Sequence, residues 1–181
     1  FALDTLYSKG FKLIRVPSHV RDAPTFGTGH FPRCRDQVYH IRSDDIYLSG
    51  TADVPINSIH IDEILRKPSC LFCMDGWFSP CFRHDAGSAG KDVRGLIRVY
   101  QFMKVEKFVI CKKDQEGLKR RHLELLETSE QIMRALELPY RVIECCTGDM
   151  GIGKVKVFDV ECWIPSEGTY LKTHSCSALN D

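Results

Sequence analysis

FRHDAGSAGKDVRGLIRVYQFMKVE, residues 82–106, holds the most informative pattern in this sequence. It runs from a strand end with an Arg-x-acid triplet, through a glycine-rich basic loop, to a returning strand that carries an aromatic residue. Such a hairpin can clamp a nucleotide, because an arginine binds phosphate or carboxylate through two parallel hydrogen bonds and an aromatic ring stacks on a base. Basic side chains in the loop suit the phosphates of a nucleic acid. Taken alone, an arginine and an aspartate spaced as Arg83 and Asp85 most often form a surface ion pair of little energetic value.

Alternation of residue types continues beyond this loop and predicts one long strand over residues 97–111. Its first face is apolar and is formed by Ile97, Val99, Met103, Val105 and Val109. Its second face is formed by Arg98, Tyr100, Phe102, Lys104 and Glu106. Because successive side chains of a strand point to opposite faces, the first face is expected to pack and the second to carry functional groups.

Spacing elsewhere predicts a long helix and several further strands. Apolar residues at helical spacing predict a helix over residues 116–138, with Pro139 just beyond its end. Strands are predicted at residues 11–16, 46–48, 140–146 and 155–164, a helix end at 1–8, a short helix at 60–66 and a loop at 23–32. In residues 50–53, an extended backbone would put Thr51 and Asp53 on one side. Long strands, few helices and short turns favour an antiparallel α+β domain.

The composition is that of a single globular domain. The chain has 181 residues, of which 43% are hydrophobic and 27% charged, values typical of folded rather than disordered proteins. Lys and Arg number 25 and Asp and Glu number 24, so bulk charge indicates neither a nucleic-acid nor a membrane partner. No apolar run approaches the roughly 20 residues of a membrane span. The chain begins with Phe1 and without a signal peptide, so it is expected to be an internal piece of a longer protein.

Nine cysteines are present, and their odd number favours reduced, mostly buried thiols over a disulfide framework. Cys70 and Cys73 form a C-x-x-C pair, a spacing that also occurs in zinc sites. Neither a second such pair nor an H-x-x-x-H motif follows to complete four ligands. Buried structural thiols are therefore favoured, and no metal ligand is assigned with certainty.

Residues 82–106 closely resemble motif 2 of the bacterial-type seryl-tRNA synthetases, whose pattern is F-R-x-E-A-G-S-A-G-x-D-x-R-G-L-x-R-x-H-Q-F-x-K-V-E. Four more stretches resemble the family's T-G-Q-L-P, T-A-E-V-P, D-I-E-V-W-x-P and S-C-S-N motifs, in the family's order, at residues 28–32, 50–55, 158–165 and 175–177. Residues 15–17, after the first helix, resemble motif 1, which builds the dimer interface in this class. The resemblance spans nearly the whole chain.

This resemblance implies a class II aminoacyl-tRNA synthetase core, an α+β fold in which an antiparallel sheet is flanked by helices. Residues 1–181 would be a single, partial catalytic domain running from motif 1 through motif 2 to just before motif 3, without the N-terminal coiled-coil arm. The implied activity is ATP-dependent, Mg²⁺-assisted activation of serine to seryl-adenylate, followed by transfer to tRNA(Ser). The implied assembly is a homodimer away from membranes, in the mitochondrial matrix or another organelle of bacterial descent, with the cytoplasm as the alternative.

The resemblance also implies a role for individual residues. Arg83 and Glu106 would be catalytic, and the serine would be bound by Thr51, Asp53, Arg83 and Glu106. The ATP would be bound by Arg83, His84, Asp85, Val99, Phe102, Lys172 and Ser175, with Phe102 stacked on the adenine. Ser88, Lys91 and Arg94 would lie in the loop that meets the tRNA acceptor end.

Three of these positions depart from the family pattern. Asp53 and Asp85 stand where the family has glutamate, which retracts each carboxylate by one methylene. Lys172 stands where the family has the glutamate that ligates magnesium, and an ammonium repels a cation that needs oxygen ligands. Two interpretations therefore stay open. The chain belongs either to an active serine–tRNA ligase or to a catalytically impaired relative that acts through dimerisation or RNA binding.

Overall fold

The computed structural model describes residues 1–65, 69–74, 79–84, 97–112 and 114–179, and of residues 69–74 the backbone alone. The helices in these ranges are α1 (Ala2–Ser8), α2 (Asp22–Gly27), α3 (Asp53–Ser58) and α4 (Gln115–Ala135). The first strands are β1 (Lys12–Ile14), β2 (His19–Val20), β3 (His40–Ile41), β4 (Ile46–Leu48), β5 (Ser69–Met74) and β6 (Pro80–Phe82). The remaining strands are β7 (Gln101–Met103), β8 (Lys107–Cys111), β9 (Tyr140–Glu144), β10 (Lys154–Ile164) and β11 (Thr169–Leu179).

The described strands pair mostly in the antiparallel direction. Their orders are β1-β5-β8, β11-β10-β9 and β2-β4-β3, with β6 and β7 forming a separate hairpin. Only the β1–β5 pair among them is parallel. The predicted α+β architecture, with antiparallel strands flanked by helices, is confirmed.

Helix α4 supplies the largest core. Asp114 immediately precedes its first residue, and the Asp114 side chain accepts a hydrogen bond from the Gly117 amide, as an N-cap residue does. A Cβ at Gly117 would lie 2.7 Å from a carboxylate oxygen of Asp114, so a larger residue there would require the Asp114 side chain to shift. The buried face of α4 packs on the sheet β9-β10-β11 in a cluster formed by Leu126, Met133, Val160, Cys162 and Cys176. The predicted helix and the two predicted strands beside it are confirmed in place.

Met133→Ala is expected to destabilise the fold by about 2–5 kcal/mol, because it leaves a cavity in a core that cannot collapse fully. Met133 is 1% exposed at the centre of this cluster. The matched control is Leu123→Ala, also on α4, where the side chain is 45% exposed and the cost should stay within about 0.5 kcal/mol. Urea unfolding followed by circular dichroism measures both. Equal destabilisation of the two variants would show that α4 is not packed as described.

Two smaller cores position the first half of the chain. Leu6 and Phe11 pack with Val105 and Val109, which joins α1 to the end of the motif-2 stretch. Ala52 and Ile56 of the α3 region pack with the partly buried residues Ile14, Val16 and Phe108. Residues 51–53 are thereby fixed beside the strands that follow residue 97.

The long strand predicted over residues 97–111 is interrupted. Residues 101–103 pair with β6, whereas residues 107–111 pair with β5, and residues 104–106 connect the two. Ile97 and Met103, expected on the packed face, are 47% and 51% exposed. Alternation of residue types continues through such a change of pairing partner, so the sequence pattern cannot reveal it.

Two other local predictions are wrong. The loop predicted at residues 23–32 contains α2, because Pro24 lies in the first helical turn, where its missing N–H removes no hydrogen bond. The helix predicted at residues 60–66 is absent over the described residues 60–65, where the chain forms a turn and then irregular backbone. The helix of this region is α3, seven residues earlier, and its Val54, Pro55 and Ile56 are buried.

Helices of the described residues are all too short or too polar to cross a lipid bilayer. The cysteines whose side chains are described are free thiols, namely Cys34, Cys81, Cys111, Cys145, Cys146, Cys162 and Cys176. The side chains of Cys70 and Cys73 lie outside the described residues.

Candidate active site

Backbone contacts bring the segment after β4 against the β6–β7 hairpin. The Phe82 amide donates to the Ser49 carbonyl at 2.9 Å, and the Arg83 amide donates to the Tyr100 carbonyl at 3.0 Å. The Arg83 side chain reaches back to the Gly50 carbonyl, with Nε 3.4 Å from the oxygen. A Cβ at Gly50 would lie 3.3 Å from the Phe82 carbonyl oxygen, so glycine permits this close approach.

Arg83 and Phe102 form the first part of the candidate site. The Arg83 guanidinium carbon lies 5.3 Å from the centre of the Phe102 ring, a distance typical of a cation–π contact. Arg83 is exposed and Phe102 half-buried, so a permanent cation and an aromatic surface stand side by side with access to solvent. This pair can hold an anionic group beside an aromatic base.

Thr51, Lys104 and Glu106 form the second part. Lys104 Nζ lies 2.8 Å from Thr51 Oγ1 and 2.8 Å from Glu106 Oε2, and Thr51 Oγ1 donates to the same carboxylate oxygen at 3.3 Å. Thr51 is 6% exposed, and the side chains of Lys104 and Glu106 are 36% and 18% exposed. Burial lowers the pKa of the Lys104 ammonium, but the carboxylates of Glu106 and Asp53 outweigh burial, so this pKa is raised. The ammonium therefore stays charged.

Asp53 is close to this triangle but not in the predicted conformation. It is the first residue of α3, so residues 51–53 are not extended. The prediction that an extended backbone puts Thr51 and Asp53 on one side is therefore wrong. One oxygen of Asp53, Oδ1, is buried without a hydrogen-bond partner among the described residues. A buried carboxylate oxygen without a partner is costly, and a cationic or hydrogen-bond-donating ligand would satisfy it.

His84 and Val99, which are also predicted site residues of the hairpin, have other contacts. His84 donates its amide to the Gln37 carbonyl at 2.8 Å, and its ring meets Tyr39 edge to face with centroids 5.2 Å apart. Val99 is half-buried just before β7. Asp85, Ser88, Lys91 and Arg94, predicted for adenine and tRNA contacts, lie outside the described residues.

Lys172 and Ser175 meet at Asp159 in a second cluster. Lys172 Nζ lies 3.1 Å from Asp159 Oδ2, and Ser175 is the direct partner of Asp159 across β10 and β11. Residues three apart on a regular strand face opposite sides. A bulge lets Lys172 and Ser175 share one side, because Glu161 pairs with Lys172 and Val160 with His174, leaving Thr173 unpaired. The Thr173 hydroxyl donates to the Val160 carbonyl at 3.1 Å.

This second cluster does not fit a magnesium ion held by protein carboxylates. Burial raises the pKa of Asp159, but hydrogen bonds from Ser175, Lys172 and Cys145 outweigh burial, so this pKa is lowered and the carboxylate is ionised. The Lys172 ammonium pairs with Oδ2 of this carboxylate. Oδ1 is buried without a hydrogen-bond partner among the described residues, but one oxygen beside an ammonium does not make a site for a divalent cation. Among the described residues, no three His, Cys, Asp or Glu side chains are grouped as a metal site.

His174, opposite Val160 beside the bulge, is expected to make stability depend on pH. Burial and the nearby Lys107 charge lower its pKa from 6.5 to about 4. The neutral ring therefore contributes stability that is present above pH 6.5 and is lost as pH falls toward about 4, by at most about 3 kcal/mol. His174→Gln removes this titration, so its melting temperature should fall less than that of the parent over this window. Parallel melting profiles would contradict the assignment.

Sequence analysis did not identify two residues of these clusters, Lys104 and Asp159, as functional residues. Lys104 was expected on the same face as Glu106, and that alternation was the available signal. Alternation over residues 155–164 predicts Asp159 on the unpacked face, opposite Phe158, Val160 and Cys162, yet in the structure it is 6% exposed. Its pairing with Lys172 depends on the bulge, for which the sequence carries no pattern.

Comparison with known proteins gives one family and many relatives. The family profile described as the tRNA synthetase class II core domain (G, H, P, S and T) matches residues 37–181. A serine–tRNA ligase of Deinococcus radiodurans is 49% identical over 181 residues, covering 100% of this chain and 42% of its own length. A serine–tRNA ligase of Prochlorococcus marinus is 40% identical with the same coverage. The chain thus spans less than half the length of these relatives.

Solved structures give the same result. A seryl-tRNA synthetase from Pyrococcus horikoshii, complexed with ATP, superposes with a TM-score of 0.87 at 38% identity, over 96% of this chain and 38% of that chain. A cytoplasmic serine–tRNA ligase from Naegleria fowleri, in complex with AMP, superposes with a TM-score of 0.85 at 28% identity, over 97% and 42%.

Proposed function

Because this chain belongs to the family of class II tRNA synthetase core domains, we propose that it is the part of a serine–tRNA ligase that activates serine with ATP. The observation that carries the proposal is the convergence of Arg83, Phe102, Thr51 and Glu106 around one hairpin. The relatives and the superposed structures are serine–tRNA ligases, and the two structures hold ATP or AMP.

In the proposed reaction, Thr51, Asp53 and Glu106 bind the ammonium and hydroxyl groups of serine. Glu106 and Asp53 are carboxylates beside Lys104, and their oxygens can accept hydrogen bonds from a substrate ammonium. Arg83 binds the serine carboxylate and the α-phosphate of ATP, and Phe102 stacks on the adenine. A serine carboxylate oxygen attacks the α-phosphorus, pyrophosphate leaves, and Arg83 stabilises the negative charge that develops. The seryl group then passes to the terminal ribose hydroxyl of tRNA(Ser), releasing AMP.

The test is amino-acid-dependent ATP–pyrophosphate exchange by the native protein, with serine, alanine and threonine compared. Serine alone should support rapid exchange. Absence of exchange with serine, in a preparation that folds cooperatively, would contradict the proposal. A catalytically impaired relative that acts only by dimerisation or RNA binding would show no exchange with serine. The convergence of the serine-binding residues does not favour this alternative.

Magnesium, where it takes part, would enter with ATP rather than be held at position 172. Lys172 is paired with Asp159, and an ammonium supplies no ligand to a divalent cation. The side chains of Lys172 and Ser175 are instead proposed to lie at the nucleotide.

We also propose that the protein acts on tRNA(Ser) as a homodimer. The segment from α1 to β1 leaves large apolar side chains uncovered, with Phe1 61%, Tyr7 69% and Leu13 44% exposed. Burying this patch against its own copy would form a two-fold interface, and sedimentation of the native protein at micromolar concentration tests it. The tRNA-contacting loop and the mitochondrial or other organellar location stay predictions.

A further inference from the structure

We propose that Lys104 is the positioning residue of the amino-acid pocket, holding Thr51 and Glu106 in the one arrangement that accepts hydrogen bonds from the substrate. This inference rests on the proposed function and assigns a task to a side chain that the expected site left out. It depends on three contacts: Lys104 to Thr51, Lys104 to Glu106, and Thr51 to Glu106.

The three contacts fix the direction of every proton between these groups. A lysine ammonium can only donate, so its 2.8 Å contact occupies one lone pair of Thr51 Oγ1. The single hydroxyl proton of Thr51 is directed to Glu106 Oε2. The remaining capacity of Oγ1 is one lone pair, so Thr51 can accept a hydrogen bond from a ligand but has no proton to donate. A substrate ammonium or hydroxyl donates to such a site.

Without Lys104, the side chains of Thr51 and Glu106 would no longer be held in this arrangement. Thr51 could rotate and offer its proton to the ligand, and Glu106 would lose the cation that holds its carboxylate. Glu106 and Asp53 would then be two carboxylates sharing one partly buried space, and like charges there disfavour ionisation. Lys104 also lies at residues 104–106, between β7 and β8, where the described strands provide no pairing partner. Its two side-chain contacts add order to this connection.

The experiment compares Lys104→Met in the native protein with the parent, by steady-state ATP–pyrophosphate exchange. Methionine keeps the length and removes the charge and the donors. We expect the KM for serine to rise by about tenfold or more, because hydrogen bonds to charged groups are lost, while the KM for ATP changes less than about twofold. Lys104→Arg keeps the charge and should restore part of the serine affinity. A merely structural role would raise both KM values together or act through folded fraction alone.

The matched control is Lys156→Met, which removes an exposed lysine paired with Glu144 at 3.1 Å and should change neither KM. If Lys104→Met does not fold, Lys104→Gln takes its place, with the same expected separation of the two KM values. An unchanged KM for serine in a folded Lys104 variant, with an active parent, would overturn the inference alone. A parent without serine-dependent exchange would overturn the proposed function and this inference with it.

Discussion

Arg83→Ala should lose at least about 10²–10³-fold in the rate of serine-dependent exchange, the cost of removing one donor that stabilises transition-state charge. Arg83 is the exposed cation of the hairpin, held between the Gly50 carbonyl and the Phe102 ring. Alanine removes every hydrogen bond that the guanidinium offers to a carboxylate and a phosphate at once. Binding of ATP, measured by calorimetry, should also be lost.

Two further variants make this expectation specific. Arg83→Lys keeps the charge without the planar fork and should recover only part of the rate. Arg141→Ala removes another exposed arginine, one that pairs with Glu161 at 2.7 Å and lies over Tyr170, and should leave the exchange rate unchanged. Equal ATP binding by Arg83→Ala and the parent would mean that the nucleotide site has been assigned wrongly.

Lys172→Glu is expected to lower the Mg²⁺ concentration needed for half-maximal exchange by about tenfold or more. The change replaces one positive charge by one negative charge beside Asp159. Two unit charges 4 Å apart interact by about 4 kcal/mol at an effective dielectric near 20. Lys172 is 58% exposed, so solvent screens much of this energy, yet about a third of it still corresponds to a tenfold change in affinity.

Lys172→Met separates the two parts of that effect, because it removes the cation without adding a ligand. It should give an intermediate Mg²⁺ requirement. Serine activation should also rise in Lys172→Glu, most clearly when Asp53→Glu and Asp85→Glu restore the longer carboxylates. Loss of exchange in Lys172→Glu would mean that the lysine contacts a phosphate directly.

Much of the fold could be predicted from residue spacing because α4 and β10 each bury one regular face. Helical spacing predicts the buried side of α4 that contains Leu126 and Met133, and alternation predicts Val160 and Cys162. The resemblance to seryl-tRNA synthetases is also confirmed over the whole chain. It succeeds where spacing cannot, because ordered motifs encode which distant segments meet.

The rest depends on contacts that leave no periodic signal. The strand over residues 97–111 changes partner after Met103, and α3 forms because Val54 and Ile56 are buried by other segments. The role of Lys104 depends on Thr51, 53 positions away along the chain, and the pairing of Lys172 depends on one unpaired residue. Such features follow from tertiary packing, so local propensity could not reveal them.

Thr173 also determines how the coding sequence of β11 can change in length. Counting back from buried Cys176 by twos, a regular strand would put residue 172 on the core side with His174. The unpaired Thr173 instead moves Lys172 to the outer side and leaves Leu171 opposite buried Cys162. Deleting the Thr173 codon would therefore close the bulge and keep Lys172 opposite Glu161 and Leu171 opposite Cys162, so both side chains would stay on their present faces. β11 can thus lose one residue at the bulge without turning Lys172 toward the apolar core.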